Sequence, residues 1–360
     1  MKNKALLSIG PITPPVGGTT VLFEDFLDYL KGENDYGYTN SLRSNSSKNK
    51  VFSEAILLFQ FILWCFKKRK KSKVVMFHAS SNRMLMTGVW LSFLSKPLGF
   101  KLYFRKFGGD FDKVLQGRIK KILFEILISS ASLIYIETKN EINYITREFK
   151  CDEKIKWFPN VRKSIDKSIN KVKPDNFLLK CVFIGRVIKD KGIVDILESL
   201  KHVNIKINVD IYGPIEDKAI LELINKSEYA TYSGVKKSEN IISTLLNYDL
   251  LLLPTYYEGE GYPGVIIEAF SIGMPVITTN WKAIPEIAVD GYNSIIISPK
   301  DVHGLTSAIK KISETPTLFE HLSINAKESF KSFNREVVYE NVLADLKYES
   351  EKNKWNIFYS

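Results

Sequence analysis

The sequence predicts an α/β fold of two doubly wound domains in tandem, each a parallel sheet with helices on both faces, and a ligand-binding cleft between them. Apolar runs of strand length alternate with segments of helical spacing along most of the 360 residues, which is the pattern of parallel sheets. A lysine-rich stretch, residues 161–176, is almost free of large apolar residues and interrupts this alternation, as a linker would. We therefore predict a first domain over residues 1–165, a second over 166–335, and a terminal helix over 336–360 that packs back towards the first domain.

The elements of the first domain are predicted from the period of the apolar residues. A turn rich in Pro and Gly, residues 10–18, separates the first strand from the first helix, and the polar stretch 32–50 is expected to hold one more short strand. The other strands are predicted at residues 4–9, 74–77, 101–104, 133–136 and 155–158, and the helices at 19–30, 51–66, 84–94, 114–128 and 141–149.

The alternation restarts after the linker and predicts a second parallel sheet. Its strands are expected at residues 178–184, 205–212, 229–232, 250–253, 275–278 and 295–297, and its helices at 193–200, 218–225, 239–246 and 265–272. Three further helices, at 305–313, 319–330 and 337–348, close the chain.

Composition narrows the classes of partner. A formal net charge of +11 favours something anionic, but zinc-finger spacing, an RNP-like aromatic strand and an arginine-rich recognition helix are missing from the sequence, so nucleic acid is not expected. The three cysteines form no CxxC pair, which favours a reducing, cytoplasmic location. No apolar run reaches the roughly 18 residues of a membrane span.

Residues 51–73 allow two interpretations. The predicted helix 51–66 is apolar nearly all round, and the basic cluster Lys67–Lys73 follows it directly. This arrangement is typical of a peripheral anchor on an anionic membrane, at the inner face of the cell membrane in a cytoplasmic protein. It equally fits a core helix whose lysines lie at its C-terminus. The two interpretations are compatible.

A glycine-rich turn between strand 250–253 and helix 265–272 predicts an anion site. The backbone N–H groups of Gly264 and Val265, at the start of the helix, are placed to meet a phosphate. Two acids flank the turn, Glu260 and Glu268. Acids beside a phosphate site indicate a ligand that also carries hydroxyls, which a sugar nucleotide does.

Two cations follow the first strand of the second domain. Gly185-Arg186 lies at its end, and Lys191-Gly192 comes just before the next helix. Cations at the carboxyl end of a strand can neutralise a diphosphate. The same residues could also be ordinary surface charges of a basic protein.

These motifs resemble those of a known family. The segments Gly185-Arg186, Lys191-Gly192, Glu260 to Ala269 and Gly273 to Ile277 are similar to the sugar-donor domain of the retaining glycosyltransferases of family 4, the glycosyl transferases group 1. The first domain resembles its counterpart more weakly, through Pro14 to Gly18. The resemblance implies the GT-B fold, with an acceptor-binding first domain and a donor-binding second domain.

The resemblance also implies roles for individual residues. Arg186 and Lys191 would bind the donor diphosphate and stabilise the leaving group, and Glu260 would contact the donor sugar near its anomeric carbon. Glu268 would hold the ribose hydroxyls. Gly17 and Gly18 would let the first-domain loop approach the donor closely.

Acceptor contacts are predicted from polar residues near strand ends of the first domain, namely His78, Arg105 and Asp110. Asp110-Phe111-Asp112 also matches a short metal-binding pattern, although the same residues suit a turn with Asp112 as a helix N-cap. We expect neither a metal nor another cofactor.

The predicted activity is transfer of a sugar, with retention of configuration, from a nucleotide-diphosphate sugar to a surface polysaccharide or lipid-linked oligosaccharide precursor. UDP is the expected nucleotide, by its frequency in the family. The alternatives are a nucleotide-sugar epimerase or phosphorylase of similar fold, and a non-catalytic module at a membrane surface. A dehydrogenase is not expected, because a GxGxxG turn after the first strand is missing.

Overall fold

The structure is a computed structural model that describes residues 6–13, 17–32, 40–43, 50–68, 74–165 and 179–355. The chain divides into two compact units, residues 1–159 with 338–360, and residues 160–337. The division falls between Pro159 and Asn160, so residues 160–165 belong to the second unit. The predicted α/β class with two domains is confirmed.

The first unit is built on a parallel sheet with the strand order β2-β1-β3-β4-β5-β6. Its strands are β1 (Leu6–Gly10), β2 (Asn40–Arg43), β3 (Val74–Ser80), β4 (Lys101–Phe107), β5 (Leu133–Ile136) and β6 (Ile155–Trp157). Its helices are α1 (Gly18–Gly32), α2 (Lys50–Lys68), α3 (Ser81–Ser95), α4 (Phe111–Val114), α5 (Arg118–Ser130) and α6 (Lys139–Phe149).

The two faces of this sheet are covered by different helices, because successive strand residues point to opposite sides. Phe77 and Phe104 point to one side, into a core that includes buried residues of α2, α3 and α5. His78 points to the other side, where it contacts Phe23 and Phe26 of α1. Helices therefore cover both faces, as the sequence predicts.

The second unit has a parallel sheet of the same kind, with the order β12-β11-β10-β7-β8-β9. Its strands are β7 (Leu179–Ile184), β8 (Ile207–Tyr212), β9 (Ala230–Tyr232), β10 (Leu250–Leu253), β11 (Val276–Thr279) and β12 (Ser294–Ile297). Its helices are α7 (Ile193–Leu200), α8 (Lys218–Asn225), α9 (Ile241–Leu245), α10 (Gly264–Ser271), α11 (Val302–Glu314) and α12 (Pro316–Phe330).

The order of strands reverses between β7 and β10. From β7 the chain adds β8 and β9 on one side, then returns to place β10 and β11 on the other. A crevice opens at such a switch point, outside the carboxyl ends of the strands, and this is where ligands of open α/β sheets bind. The first sheet reverses in the same way between β1 and β3.

The last helix, α13 (Arg335–Trp355), lies with the first unit from Val338 onward. Tyr339 is fully buried there, its ring centroid 5.0 Å from that of Phe26 and 5.8 Å from that of Phe158. Its hydroxyl donates to Asp25 Oδ2 at 2.9 Å. Aromatic packing and one hydrogen bond thus hold α13 against α1.

One predicted helix is divided in two. The helix expected at 114–128 is two helices, α4 and α5, separated by residues 115–117. Gly117 has extended backbone angles, φ −80° and ψ 136°, and is the N-cap of α5. The apolar period runs through this break, so it conceals the turn.

Among the residues that the structure describes, no helix is both long and apolar enough to cross a membrane.

Candidate functional site

The predicted site residues of the second unit lie at the switch point between β7 and β10. Arg186 and Lys191 follow β7, and Glu260 follows β10, which pairs with β7 in parallel. Because both strands end at the same edge of the sheet, the two loops lie side by side. The structure thus brings these three predicted residues together.

Both cations lie over the ring of Tyr257. The Arg186 guanidinium carbon is 4.4 Å from the ring centroid, and the Lys191 ammonium nitrogen is 5.2 Å from it. The Tyr257 carbonyl accepts a hydrogen bond from Trp281 Nε1 at 2.8 Å, which holds the backbone of this residue in place. A ring that attracts two cations offsets their mutual repulsion. Tyr257 was not singled out from the sequence, because an aromatic residue in a turn has no distinctive spacing.

Lys191 forms an ion pair with Glu260. Its ammonium group is 2.5 Å from Glu260 Oε2, and only 11% of the lysine side chain and 9% of the glutamate side chain are exposed. Thr255 Oγ1 donates to the same carboxylate oxygen at 2.9 Å. The predicted sugar-contacting acid and the predicted diphosphate-binding cation therefore fix each other's positions.

Gly192 permits this approach of the two loops. It has a positive φ of 78°, and a Cβ on it would lie 2.2 Å from the carbonyl oxygen of Pro254. Any other residue would strain the backbone and collide with the loop after β10. The glycine is thus required next to Lys191.

Glu268, on α10, is paired with an arginine that the sequence analysis assigned to the linker. Arg162 Nε is 2.6 Å from Glu268 Oε1, and Arg162 Nη1 donates to Asn160 Oδ1 at 2.5 Å. Asn160 Nδ2 in turn donates to the carbonyl of Tyr262 at 2.9 Å. The start of the expected linker is therefore part of the site, and the lysine-rich composition of 161–176 concealed it.

Gly264 has no side chain, and this leaves room for the guanidinium group of Arg162. A Cβ at Gly264 would lie 1.8 Å from Arg162 Nη2. Gly264 and Val265 are the first two residues of α10, where backbone N–H groups have no acceptor within the helix. The predicted phosphate-binding amides and the Arg162–Glu268 pair thus lie next to each other.

The first unit places Gly17 and Gly18 after β1, at its own switch point. Gly18 is the first residue of α1, and Gly17 accepts from and donates to Thr20 Oγ1, at 2.8 Å and 2.9 Å. A Cβ on either glycine would meet nothing within 4 Å. The fold itself does not require glycine here, which leaves the predicted close approach of a ligand as a reason for it.

His78 and Arg105 are both buried in the first unit. His78 is completely buried among the rings of Phe23, Phe26 and Phe107. Burial, with Arg105 as a second cause, lowers the pKa of His78 well below 6.5. The imidazole is therefore neutral at physiological pH.

Arg105 is 1% exposed, its guanidinium carbon 3.5 Å from the ring centroid of Phe158 and its Nη2 donating to the Pro159 carbonyl at 3.3 Å. An acceptor contact from either His78 or Arg105 stays a prediction, and it would require the rings that cover these side chains to move. The sequence places both residues on a strand near its carboxyl end but does not show which rings cover them.

Asp110 remains accessible, with 45% of its side chain exposed. Its Oδ1 accepts from Ser81 Oγ at 2.5 Å, and Lys106 Nζ lies 3.5 Å away. Asp110, and not Asp112, occupies the N-cap position of α4, so the predicted cap was wrong. Within the described ranges, no three His, Cys, Asp or Glu side chains are grouped so that they could hold a metal ion.

Comparison with known proteins finds a family that the second unit resembles. Residues 161–329 match the family model described as glycosyl transferases group 1. One curated relative is the capsular polysaccharide biosynthesis glycosyltransferase CapM of Staphylococcus aureus, 26% identical over 186 residues, which are 49% of this chain and 47% of that protein. The chain thus matches about half the length of this relative.

Solved structures share the fold over nearly the whole chain. The lipopolysaccharide outer core galactosyltransferase WaaB, in its apo form, is similar with a TM-score of 0.72 at 14% identity, over 96% of this chain and 99% of the other. The Anabaena protein HepE, in complex with UDP and glucose, is similar with a TM-score of 0.72 at 13% identity, over 96% and 100%. At these identities the likeness concerns the fold, which is the predicted GT-B fold. Residues 161–329, slightly less than half of the chain, thus resemble the group 1 glycosyl transferases.

Proposed function

We propose that this chain transfers a sugar from a nucleotide-diphosphate sugar to a glycan, with retention of configuration and without a metal ion. The observation that carries the proposal is the stack of Arg186 and Lys191 on Tyr257 beside the buried Lys191–Glu260 pair. Two fixed cations beside an acid, at a switch point, suit a diphosphate bonded to a sugar.

The cations would bind the diphosphate and stabilise the charge that develops when the sugar bond breaks. Charges that are already in position do not have to reorganise during the reaction, and this is the main source of electrostatic catalysis. Arg186 keeps 37% of its side chain exposed, so it can reach a ligand. Because cations stabilise the leaving group, the site needs no strong general acid.

The two acids, Glu260 and Glu268, would bind hydroxyl groups of the sugar nucleotide. Glu260 is held by Lys191 and Thr255 through one oxygen, Oε2, and its other oxygen would accept a hydrogen bond from the donor sugar. Glu268 is held by Arg162 through Oε1, and its other oxygen would accept from the ribose. Arg162 acts here as a positioning residue, since it would orient Glu268 without touching the ligand.

UDP is the proposed nucleotide, because the structurally similar HepE was solved with UDP and glucose. The proposed acceptor is a surface polysaccharide or a lipid-linked precursor, as the name of CapM suggests. Asp110 would contact the acceptor from the first unit. A lipid-linked acceptor would require peripheral contact with a membrane, which the sequence predicts for residues 51–73. Only the helical part of that stretch, up to Lys68, lies within the described residues.

Thermal-shift measurements with UDP, GDP, ADP and their sugars test the proposal. A ligand that binds only the native state at a hundred times its Kd stabilises it by about 2.7 kcal/mol, so one nucleotide series should raise the melting temperature. If none does, the proposal is wrong. Incubation with the best nucleotide sugar then separates the activities, since an epimerase would convert the sugar nucleotide without any acceptor.

The stereochemistry is read from the product. NMR of the anomeric proton should show the same configuration in the product as in the donor. Inversion would refute the retaining mechanism but would leave sugar transfer standing.

A further inference from the structure

The three helices α2, α3 and α5 form one layer of the first unit. All three contribute buried residues to the core on the same face of the sheet, among them Phe61, Leu85 and Phe124. Neighbouring helices are joined by side chains: Arg83 pairs with Glu54 at 2.7 Å between α3 and α2, and Ser130 donates to Ser92 at 2.8 Å between α5 and α3. Their outward sides therefore form one continuous surface.

That surface is apolar. Large hydrophobic side chains recur on the outward side of each helix at spacings of three, four or seven residues, which keeps them on one stripe. They are Phe52 (60% exposed), Phe59 (61%), Leu63 (42%) and Phe66 (68%) on α2, Met86 (64%), Trp90 (59%) and Phe93 (59%) on α3, and Ile119 (75%) and Ile122 (47%) on α5. We call these nine residues the apolar outer face.

Nine exposed hydrophobic side chains on adjoining helices exceed the scattered ones of an ordinary surface, and contiguous apolar patches mark sites of interaction. In the second unit the exposed hydrophobics are spread over separate elements, for example Leu223 on α8 and Ile324 on α12. The apolar outer face thus requires a partner that covers it.

The charges around this face are mostly positive. The three helices contain seven lysines and arginines but only two acids, Glu54 and Glu125. Glu54 is already paired with Arg83. Arg118 and Lys120, at the start of α5, and Lys96, directly after α3, are exposed. In the sequence, α2 runs into the basic cluster Lys67–Lys73.

We propose that the apolar outer face binds the surface of an anionic lipid bilayer. Aromatic residues on amphipathic helices enter the headgroup region of a bilayer, while the surrounding basic residues attract anionic lipids. A second copy of the chain fits less well, because two such faces would bring like charges together. The proposal extends the contact predicted for residues 51–73 to three helices, and it does not depend on sugar transfer.

Co-sedimentation of the full chain with vesicles tests the proposal. Vesicles of phosphatidylglycerol and phosphatidylcholine in equal amounts should bind the chain, whereas pure phosphatidylcholine should bind it at least tenfold more weakly. The variant Trp90→Ser with Phe93→Ser should lose at least tenfold in binding to the mixed vesicles. The matched control is Ile324→Ser, which changes a residue of the same exposure, 59%, and should bind as the wild type does.

A second variant replaces Arg118 and Lys120 by glutamate. This change should weaken binding to the mixed vesicles at least fivefold and make the binding less sensitive to salt. Equal binding by wild type and the Trp90–Phe93 variant would overturn the proposal. It would also be overturned if the wild type did not bind the vesicles and instead sedimented as a dimer that the Trp90–Phe93 substitutions dissociate. A nucleoside diphosphate should raise the melting temperature of these variants as much as that of the wild type. An unchanged shift shows that the fold and the second-unit site are intact.

Discussion

Each unit stacks an arginine on an aromatic ring close to the end of a strand, with a lysine–glutamate pair nearby, yet the two arrangements differ in access. Arg105 is 1% exposed over Phe158, whereas Arg186 keeps 37% of its side chain exposed over Tyr257. The next residue, Lys106, points to the opposite face of the sheet, where it pairs with Glu141 and is completely buried. The side chains around Arg105 in the first unit are therefore closed to solvent, and we call them the sealed cluster. Arg186, Lys191 and Tyr257 in the second unit remain accessible, and we call them the open cluster.

The two clusters differ in access because helices cover the one in the first unit. α13 contributes Tyr339, which closes the first-unit cluster together with α1. In the second unit the loop after β10 contributes Tyr257 instead, and this residue supports the cations from one side. We therefore expect a charged residue near a strand end to bind a ligand only where no other element covers it.

The largest effect is expected from the open cluster. Arg186→Ala or Lys191→Gln should lower the kcat/KM of sugar transfer by about 10²- to 10³-fold, as for loss of a preorganised charge in other enzymes. Steady-state kinetics with the nucleotide sugar found by thermal shift measures this. Lys189→Ala, an exposed lysine of the same turn, is the matched control and should stay within twofold of the wild type.

The two variants differ in their risk to the fold. Lys191→Gln leaves the buried Glu260 without its cation, which costs stability, while Arg186 is exposed enough to be removed safely. A near-normal rate in folded Arg186→Ala would contradict the assignment.

A substitution in the sealed cluster should lower the stability of the fold without changing the binding of a ligand. Arg105→Ala removes a fully buried side chain and leaves a cavity, so the free energy of unfolding should fall by at least about 2 kcal/mol. Urea denaturation measures this change, and the binding of a nucleotide diphosphate to the folded variant should be unchanged. Weaker binding with unchanged stability would reverse the distinction between the two units.

Arg162 should matter through Glu268 alone. Arg162→Ala frees the carboxylate to rotate, so KM for the nucleotide sugar should rise about tenfold with little change in kcat, about the 1.4 kcal/mol of a charge-assisted hydrogen bond. Gly264→Ala should have a similar effect, because its Cβ would displace Arg162.

A double-mutant cycle separates this from a general loss of structure. In the Arg162→Ala background, Gly264→Ala should cost nothing further, since the group that it displaces is already absent. Additive effects would contradict the proposed coupling, and partial rescue by Arg162→Lys would support it.

His78 should make the chain less stable in acid. Its pKa in the folded state lies well below 6.5, so as the pH falls below 6.5 the unfolded state binds a proton that the folded state does not. The free energy of unfolding should fall by about 1.4 kcal/mol per pH unit from this residue.

Urea denaturation between about pH 5 and pH 7 measures that slope. His78→Phe should remove this part of the slope, while His202→Gln, at a histidine with 55% of its side chain exposed, should not. An identical slope in His78→Phe and wild type would show that His78 is protonated in the folded state.

The smallest effect is expected from metal removal. Because cations of the chain are proposed to stabilise the leaving group, transfer should continue at the same rate in excess EDTA. Loss of activity that Mg²⁺ or Mn²⁺ restores would contradict the metal-independent mechanism and would direct attention to Asp110 and Asp112.

Much of the fold could be predicted because parallel sheets leave a strong period in the sequence. Strand β10 and helix α8 have the predicted bounds, and Arg186, Lys191 and Glu260 meet as expected because β7 and β10 are neighbours. The resemblance to a family supplied the proposed roles of these residues, which the period alone does not give.

The rest depends on contacts between distant residues. The pairing of Arg162 with Glu268 spans 106 positions, and nothing in the local sequence indicates it. The burial of His78 and Arg105 depends on α1 and α13, at the two ends of the chain. The break at Gly117 is hidden because the apolar pattern continues through it.

The proposed function requires that the open cluster binds a diphosphate. Calorimetric titration of UDP and of uridine into wild type and Arg186→Ala measures this binding. We expect wild type to bind UDP at least tenfold more tightly than uridine, and Arg186→Ala to lose most of this difference while it still binds uridine. Equal affinities for UDP and uridine in the wild type, or an unchanged difference in Arg186→Ala, would contradict it.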